Sequence, residues 1–209
     1  MKKIVVVDYG LGNIRSAEQS LKKASESIKE TTEISIINKA TDLRLSTHIV
    51  LPGQGAFSSC MNGLKNSPGL IDELSESVLI KKKPFLGICV GMQLLANKGF
   101  ENGEHIGLGW IKGEIKKLPQ NNLKLPHMGW NEVLIKKKNE LIKEKNNGNY
   151  YFVHSYCFKC ASKQTVVATT SYGSDFTSVI SKENIYGVQF HPEKSSLQGL
   201  KVLENFINI

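Results

Sequence analysis

The sequence predicts an α/β fold, with a central sheet that is mostly parallel but mixed and is flanked by helices. Short apolar runs at 4–7, 48–51 and 84–88 are typical of strands buried on both faces of a parallel sheet. Stretches with helical spacing lie between these runs, and that alternation favours helices that cross over the sheet. After residue 110 the strand candidates are separated by turn residues, so this half of the sheet is expected to be antiparallel in part.

The first half of the chain alternates strands and helices. A strand at 4–7 leads into the glycine-rich turn 8–13, and a helix follows with apolar residues on one face, at Ile14, Ala17, Leu21, Ala24 and Ile28. The remaining elements predicted in this half are strands at 33–37 and 48–51, helices at 56–65 and 70–82, and a strand-to-helix segment at 84–95.

The second half is predicted to be richer in strands, with one polar interruption. The segment 136–148 is rich in lysine and is expected to form an exposed loop or hairpin, and apolar residues from 197 to 207 recur at helical spacing. No internal repeat or domain boundary is visible, so residues 1–209 are expected to form a single domain. The strand candidates are 110–118, 132–135, 150–154, 165–171, 176–181 and 185–190.

Composition bounds the function classes. A chain of 209 residues that is 40% hydrophobic can bury a substantial core. No apolar run is long enough to cross a bilayer, and only four apolar residues follow Lys2 and Lys3, which is too few for a signal peptide. A cytoplasmic location without a membrane partner is therefore expected, and there the four cysteines would stay reduced.

The net charge of +8 raises the question of nucleic-acid binding. The lysines, however, occur in short scattered clusters, and arginine occurs only as Arg15 and Arg44. Nucleic-acid recognition usually relies on arginine interleaved with aromatic residues, so most of these lysines are interpreted as solvated surface and no nucleic-acid partner is expected. The clusters lie at 81–83, 116–117, 136–138 and 143–145.

The segment Gly87-Ile88-Cys89-Val90-Gly91 is the cysteine form of a nucleophile elbow. An abrupt strand-to-helix turn strains the backbone of the central residue, and flanking glycines remove side chains that would clash there. The turn would present the thiol above the carboxyl edge of the sheet at a helix N-terminus, which favours the thiolate. A buried structural cysteine beside two packing glycines is the alternative interpretation.

A second motif, His191-Pro192-Glu193, supplies a base and an acid. Residues two apart on an extended backbone point to the same side, so the Glu193 carboxylate can hold one imidazole nitrogen and leave the other to take a proton from Cys89. Alone, the motif is also compatible with an ordinary turn at a strand end. With the elbow it completes a nucleophile, a base and an orienting acid.

These two motifs resemble the signatures of class I glutamine amidotransferases. The resemblance covers essentially the whole chain and extends to the glutaminase subunits that serve a cyclase in histidine biosynthesis. The family fold that this implies is flavodoxin-like. Further matching segments are Asp8-Tyr9-Gly10-Leu11-Gly12-Asn13, Pro52-Gly53-Gln54-Gly55-Ala56-Phe57, Pro126-His127-Met128-Gly129-Trp130-Asn131, His154-Ser155-Tyr156 and Gln189-Phe190-His191-Pro192-Glu193-Lys194-Ser195.

The resemblance implies a role for each matching residue. Cys89 would attack the carboxamide of L-glutamine, while His191 would move protons and Glu193 would orient it. No cofactor or metal is implied. Backbone amides of the oxyanion hole would come from Val90 and from Gly53, Gln54 and Gly55, and the residues that would hold glutamine are Gln93, Glu101, Ser155 and Tyr156.

The resemblance also implies a partner, a cyclase subunit built as a (βα)₈ barrel, in a heterodimer. Ammonia released into water would become non-nucleophilic ammonium, so an internal passage to the barrel is expected. Interface candidates are Asn13, Arg15, Trp130 and Lys194. Turnover of glutamine is expected to stay low until the barrel binds its own ligand, with one oxyanion amide misdirected at rest.

Other motifs and functions are weaker interpretations. Cys157 and Cys160 form a lone Cys-x-x-Cys on a strand pattern, Gly10-Leu11-Gly12 lacks the rest of a dinucleotide fingerprint, and His48, His105 and His127 are interpreted as structural. The alternative functions are a paralogous glutaminase that feeds another synthase, such as one for surface-sugar amidation, a non-catalytic interaction protein on this fold, and a cysteine peptidase.

Overall fold

The computed structural model describes residues 1–119, 123–143 and 148–209. Strands and helices alternate up to residue 93, and strands dominate between 98 and 188. The strands are β1 Lys2–Val7, β2 Thr32–Ile37, β3 His48–Gly53, β4 Phe85–Cys89, β5 Lys98–Gly99, β6 His105–Ile106, β7 Gly113–Lys117, β8 His127–Ile135, β9 Gly148–His154, β10 Tyr156–Cys160, β11 Val166–Ser171, β12 Asp175–Lys182 and β13 Ile185–Val188. The α-helices are α1 Ile14–Ser25, α2 Phe57–Asn66, α3 Leu70–Ser75, α4 Val90–Gln93 and α5 Ser196–Ile207.

The parallel half of the sheet has the order β2-β1-β3-β4-β13. This is the doubly wound order in which ligands bind outside the carboxyl ends of the strands. The prediction of a parallel core sheet is confirmed. β4 and β13 are parallel neighbours, so their carboxyl ends lie at the same edge of the sheet. The elbow at the end of β4 and the His-Pro-Glu motif after β13 therefore both lie at this edge.

The rest of the sheet is antiparallel apart from the parallel pair of β5 and β7, which confirms its mixed character. β12 pairs with β13, β10 and β11, and β10 continues to β7. The long hairpin of β8 and β9 joins through β11. This hairpin brings residue 153 beside the end of β4, where Val153 contacts Cys89.

Helices cover both faces of the parallel strands, and their apolar faces are buried. On α1 the buried residues Ala17 and Leu21 follow the predicted spacing, and α1 packs against α5, whose Phe206 is fully buried. Ile28 lies beyond the end of α1, partly buried against the core, so the helix is shorter than its predicted apolar face.

Several element boundaries differ from the predictions. The helix predicted at 70–82 is α3 followed by a π-helical turn at Glu76–Ile80. The strand predicted at 110–118 is shorter and corresponds to β7, because the backbone amide of Ile111 donates a hydrogen bond to the carbonyl of Leu95 instead of to a strand partner. β8 begins at His127 rather than at 132, since the residues from 127 on pair with β9.

The lysine-rich segment was predicted as exposed, and that prediction is wrong at two positions. Leu141 and Ile142 are fully buried, and Asn205 on α5 donates a hydrogen bond to the carbonyl of Leu141 at 3.0 Å. Positions 144–147, which include part of the last lysine cluster, lie outside the described residues. Lys136, Lys137 and Lys138 are exposed, as expected. Within the described ranges no helix is both long and apolar enough to cross a membrane.

His48 at the start of β3 gives a test of how burial affects stability. Its ring packs edge-on against Phe206 at 5.4 Å, and burial lowers its pKa from 6.5 to about 4. As the pH falls below 6.5, the unfolded chain takes up a proton that the folded chain refuses, so stability is lost. Replacing His48 with leucine should reduce the loss of unfolding free energy between neutral pH and about pH 5 by about 1.5 kcal/mol.

Urea unfolding at the two pH values measures this effect. Phe206→Leu is the matched control, because it disrupts the same contact without removing a titratable group and should destabilise the fold equally at both pH values. An unchanged pH dependence in His48→Leu would contradict the assignment of this histidine as buried and neutral.

Candidate active site at the nucleophile elbow

The backbone of Cys89 lies in the strained region that the glycine pattern predicts. Its φ is 54° and its ψ is −112°, at the junction of β4 and α4. A Cβ atom on Gly91 would lie 1.9 Å from the carbonyl oxygen of Leu51, and one on Gly87 would lie 2.6 Å from the carbonyl oxygen of Gly91. Both flanking glycines are therefore required by close packing of the elbow.

The helix that follows the elbow is shorter than the sequence indicated. α4 spans only the four residues from Val90 to Gln93. A macrodipole grows with the number of aligned peptide units, so the dipole at Cys89 is weaker than predicted.

His191 and Glu193 form a buried pair beside the elbow. Nδ1 of His191 lies 2.9 Å from Oε1 of Glu193, and the two side chains are only 3% and 2% exposed. The second ring nitrogen, Nε2, is buried and has no hydrogen-bond partner among the described residues. The histidine is thus oriented by the carboxylate and keeps one nitrogen for proton transfer.

The electrostatics of this pair favour the imidazolium. Burial by itself lowers the pKa of His191, but the adjacent Cys89 sulfur and the Glu193 carboxylate outweigh burial and raise the pKa to about 10. A histidine with a raised pKa readily takes a proton from a neighbouring thiol. Chemically, this arrangement can act as a cysteine nucleophile with a paired base.

A pocket of about 170 Å³ contains both Cys89 and His191. Two larger cavities, of about 420 and 550 Å³, are lined by strands of the antiparallel half and by several lysines, and neither includes the elbow. The Cys89 sulfur lies 3.9 Å from the carbonyl oxygen of Val153 and 3.7 Å from Nε2 of Gln189. The small pocket is where reactive groups converge.

The four residues expected to hold glutamine all line this pocket: Gln93, Glu101, Ser155 and Tyr156. Oε2 of Glu101 accepts a hydrogen bond from the backbone amide of Phe57 at 2.8 Å, which ties the carboxylate to the start of α2. Nε2 of Gln93 is already bonded within the protein, so its Oε1 is the atom of this carboxamide left for a ligand.

The loop proposed for the oxyanion hole rests directly on the elbow. A Cβ on Gly53 would lie 2.5 Å from the backbone nitrogen of Gly91, so only glycine allows this approach. Gln54 and Gly55 line the pocket, whereas Gly53 is not part of its lining, and Gly55 adopts a φ of 99° that favours glycine. Val90 also lines the pocket.

The four candidate interface residues, here called the rim, are linked to Glu193 through contacts or through neighbours in the chain. Nδ2 of Asn13 donates to Oε1 of Glu193 at 3.4 Å, and Arg15 is highly exposed on the same helix start. The ammonium of Lys194 lies 5.8 Å from the ring centre of Tyr151, which in turn contacts the exposed Trp130 edge-on. The rim therefore joins the pocket to an exposed surface.

Some residues of the site could not be singled out from the sequence. Val153, His154 and Gln189 contact the sulfur or line the pocket. These three residues lie in or next to the matching segments His154-Ser155-Tyr156 and 189–195, but no periodicity marks their side chains individually. Cys157 and Cys160 lie on β10, and all four cysteines are free. Within the described residues no cluster of three or more His, Cys, Asp or Glu side chains is arranged to hold a metal ion.

Comparisons with known proteins show which family the chain resembles. The family model described as glutamine amidotransferase class-I matches residues 5–209. Proteins named imidazole glycerol phosphate synthase subunit HisH are similar, with 46% identity in Pelagibacter ubique, covering 99% of both chains. A second such protein, HisH 2 from Methanococcus maripaludis, has 46% identity and covers 98% of both chains.

Among solved structures, one described as a glutamine amidotransferase has a TM-score of 0.70 at 16% identity, and the match covers 98% of this chain and 99% of that one. Another, a glutamine amidotransferase from Thermotoga maritima, has a TM-score of 0.61 at 19% identity, with 92% and 76% covered. At these identities the likeness concerns the fold alone, and it confirms the predicted fold class.

Proposed function

This chain belongs to the class I glutamine amidotransferase family, and from that premise we propose that it is the glutaminase subunit of an imidazole glycerol phosphate synthase. It would hydrolyse L-glutamine to glutamate and pass the ammonia to a cyclase subunit in histidine biosynthesis. The cyclase would form imidazole glycerol phosphate and aminoimidazole carboxamide ribotide. The observation that supports the catalytic part is the buried His191–Glu193 pair, with His191 and the strained Cys89 lining one pocket.

The proposed reaction proceeds through a thioester. Cys89 gives its proton to His191 as the sulfur attacks the carboxamide carbon of glutamine, and the imidazolium then protonates the amide nitrogen, which leaves as ammonia. His191 next takes a proton from a water molecule, which attacks the glutamyl thioester and releases glutamate. Glu193 keeps the ring oriented and stabilises its charged form during both steps.

Backbone amides are proposed to stabilise the negative oxygen of each tetrahedral intermediate. One comes from Val90, directly after the nucleophile, and the other from the Gly53-Gln54-Gly55 loop, which packs on the elbow. Because the donor is a backbone amide, the glutamine side chain at 54 does not alter this chemistry. Glu101 suits the α-ammonium of the substrate, and Gln93, Ser155 and Tyr156 would complete its binding.

The proposed partner is a (βα)₈-barrel cyclase, bound as a heterodimer over the rim of the pocket. Trp130 is 55% exposed and Met128 is 62% exposed, on the outward face of β8. Exposed aromatic residues flanked by cations such as Arg15 and Lys194 are typical of binding surfaces. A partner seated there would enclose the site and could receive ammonia before it is protonated by bulk water.

Replacing Trp130 with alanine should weaken binding of the cyclase at least ~tenfold while the isolated chain keeps its fold. The indole offers a large exposed apolar area on the rim, and alanine removes it. Titration by calorimetry measures the affinity. Leu134→Ala, a truncation 40% exposed at the far end of β8, is the control and should change affinity little. Equal losses in both variants would contradict this location of the interface.

The test of the function is an assay of the chain alone and mixed with the cyclase and its ribulosyl phosphate ligand. Formation of both imidazole glycerol phosphate and glutamate, with faster glutamine turnover in the full mixture, is the expected result. Glutaminase activity without ammonia transfer to this cyclase would favour a paralogous subunit with another acceptor. We place the reaction in the cytoplasm, where four free cysteines such as these persist.

A further inference from the structure

A buried chain of hydrogen bonds leads from the β8–β9 hairpin to the sulfur of Cys89. It consists of three carboxamides, two imidazoles and one backbone carbonyl. Its contacts are Asn131 Nδ2 to His127 Nε2 at 3.1 Å, His127 Nδ1 to His154 Nε2 at 3.0 Å, His154 Nδ1 to the Tyr156 carbonyl at 2.9 Å, Gln93 Nε2 to that carbonyl at 2.9 Å and to Gln189 Oε1 at 3.0 Å, and Gln189 Nε2 to Cys89 Sγ at 3.7 Å.

The outer end of this network has a fixed direction. The side-chain nitrogen of Asn131 lies 2.9 Å from the carbonyl oxygen of Ser171, which can only accept, and its oxygen accepts from the amide of Glu132 at 2.8 Å. The oxygen and nitrogen of the Asn131 side chain therefore cannot be exchanged, and the nitrogen also donates a hydrogen bond to Nε2 of His127. Since Nε2 accepts, the proton of His127 must lie on Nδ1.

The two histidines then take matching tautomers. Nδ1 of His127 donates to Nε2 of His154, so the proton of His154 also lies on Nδ1, where it meets the carbonyl of Tyr156. Burial lowers the pKa of His127 to about 4 and that of His154 to about 3, so both rings remain neutral near pH 7. The tautomers that Asn131 requires are therefore the same as those that the Tyr156 carbonyl requires.

The inner end is fixed by the same carbonyl. The carbonyl of Tyr156 requires the nitrogen of Gln93 as its donor, and the second hydrogen of that nitrogen is directed to the oxygen of Gln189. Gln189 is fully buried, and with its oxygen held by Gln93 its nitrogen must face the sulfur. A donor directed at sulfur favours the thiolate over the thiol.

We propose that Gln189 is a further catalytic residue, which donates an N–H hydrogen bond to the Cys89 sulfur, and that the network from Asn131 through His127, His154 and Gln93 holds its carboxamide in that orientation. The inference deepens the proposed function, because it rests on Cys89 as the nucleophile. When Cys89 loses its proton to His191, the charge on sulfur gains this donor, and the same contact favours the sulfur as leaving group when the thioester is hydrolysed.

The network also links the nucleophile to the surface proposed for the partner. Asn131 is adjacent to the exposed Trp130 on β8. Asn131, His127 and His154 contact neither substrate nor reacting atoms in this scheme and act as positioning residues, whereas Gln93 holds Gln189 through its nitrogen and keeps its oxygen for the substrate. Displacement of the hairpin by a bound partner would act on Cys89 through these contacts.

The test is the rate at which iodoacetamide alkylates Cys89 near neutral pH, followed by peptide mass spectrometry. This reaction needs the thiolate but neither glutamine binding nor an oxyanion hole. Gln189→Met, similar in size but without a donor, should alkylate about tenfold more slowly, and its kcat for glutamine should fall with KM little changed. Ser178→Ala is the matched control, since its buried hydroxyl has no hydrogen-bond partner among the described residues and lies on the neighbouring strand.

Nitrogen NMR gives a second measurement, and its wild-type part does not depend on the folding of a variant. Both His127 and His154 should carry their proton on Nδ1, and Asn131→Asp should move the proton of His127 to Nε2 and slow alkylation about threefold. Unchanged alkylation in Gln189→Met, or a proton on Nε2 in the wild-type rings, would overturn the proposal. Normal alkylation results with no glutaminase activity in wild type would instead overturn the proposed function.

Discussion

Replacing Cys89 with alanine is expected to abolish glutamine hydrolysis while leaving synthesis from added ammonium salt intact in the complex with the cyclase. The covalent route disappears with the sulfur, so glutamine-dependent turnover should fall by at least ~10³-fold. The substitution should not disturb packing outside the pocket, because Cys89 is buried at the edge of the sheet and its sulfur faces the site. Cyclase affinity should therefore stay unchanged.

Activity assays with glutamine and with ammonium salt, run on the same complex, separate the two halves of this expectation. Cys157→Ala is the control, since Cys157 is also fully buried but lies on β10 outside the pocket lining. It should keep glutaminase activity within about threefold of wild type. Residual glutamine-dependent activity in Cys89→Ala would assign the nucleophile elsewhere, and loss of ammonium-dependent activity would indicate damage to the interface.

Replacing Glu193 with glutamine should lower kcat for glutamine by ~10² to 10⁴-fold with a small change in KM. The carboxylate lies 2.9 Å from Nδ1 of His191 and helps to raise the pKa of that histidine. A neutral carboxamide of the same shape removes this stabilisation of the imidazolium, so the base no longer holds the thiol proton well. Because the pKa of His191 falls in this variant, the limb of the kcat profile that reports this histidine should move to lower pH.

Steady-state kinetics across pH measure this effect. Glu18→Gln is the control, because Glu18 is a buried carboxylate on α1 that pairs with Lys22 and lies away from the imidazole. It should leave kcat within a factor of about two. A Glu193→Gln enzyme with wild-type kcat and an unchanged pH profile would contradict the role assigned to this carboxylate.

Much of the parallel half of the fold could be predicted from local sequence. Continuous apolar runs such as 4–7 and 48–51 identify buried strands, and α1 follows from its apolar spacing. The elbow was predictable because the strained φ of Cys89 and the close packing of Gly91 leave no alternative to the glycine pattern. Here the physical requirement is local, so a short motif carries it.

The antiparallel half was less predictable, because its pairing is long-range. The first five residues of β8 alternate weakly, and only pairing with β9 makes them a strand. Leu141 and Ile142 occur within a polar, lysine-rich stretch, so their burial depends on contacts such as the hydrogen bond from Asn205, which lies 64 residues further along the chain. No local pattern encodes a contact of that kind.

The site divides in the same way. Cys89, His191 and Glu193 could be named from two short motifs, and the pocket-lining residues Gln93, Glu101, Ser155 and Tyr156 from the family resemblance. Gln189 stood in a recognised segment, yet its contact with the sulfur depends on Gln93, 96 residues away along the chain. The directions of its hydrogen bonds follow only from the assembled network.

The most direct test of the catalytic claim is mass spectrometry of the chain quenched during turnover of glutamine with the cyclase present. The thioester mechanism predicts that the peptide containing Cys89 gains the mass of one glutamyl group, and that the gain disappears in Cys89→Ala. A glutamyl adduct on another residue, or glutamate formed at full rate with no adduct even at the shortest quench times, would contradict the account.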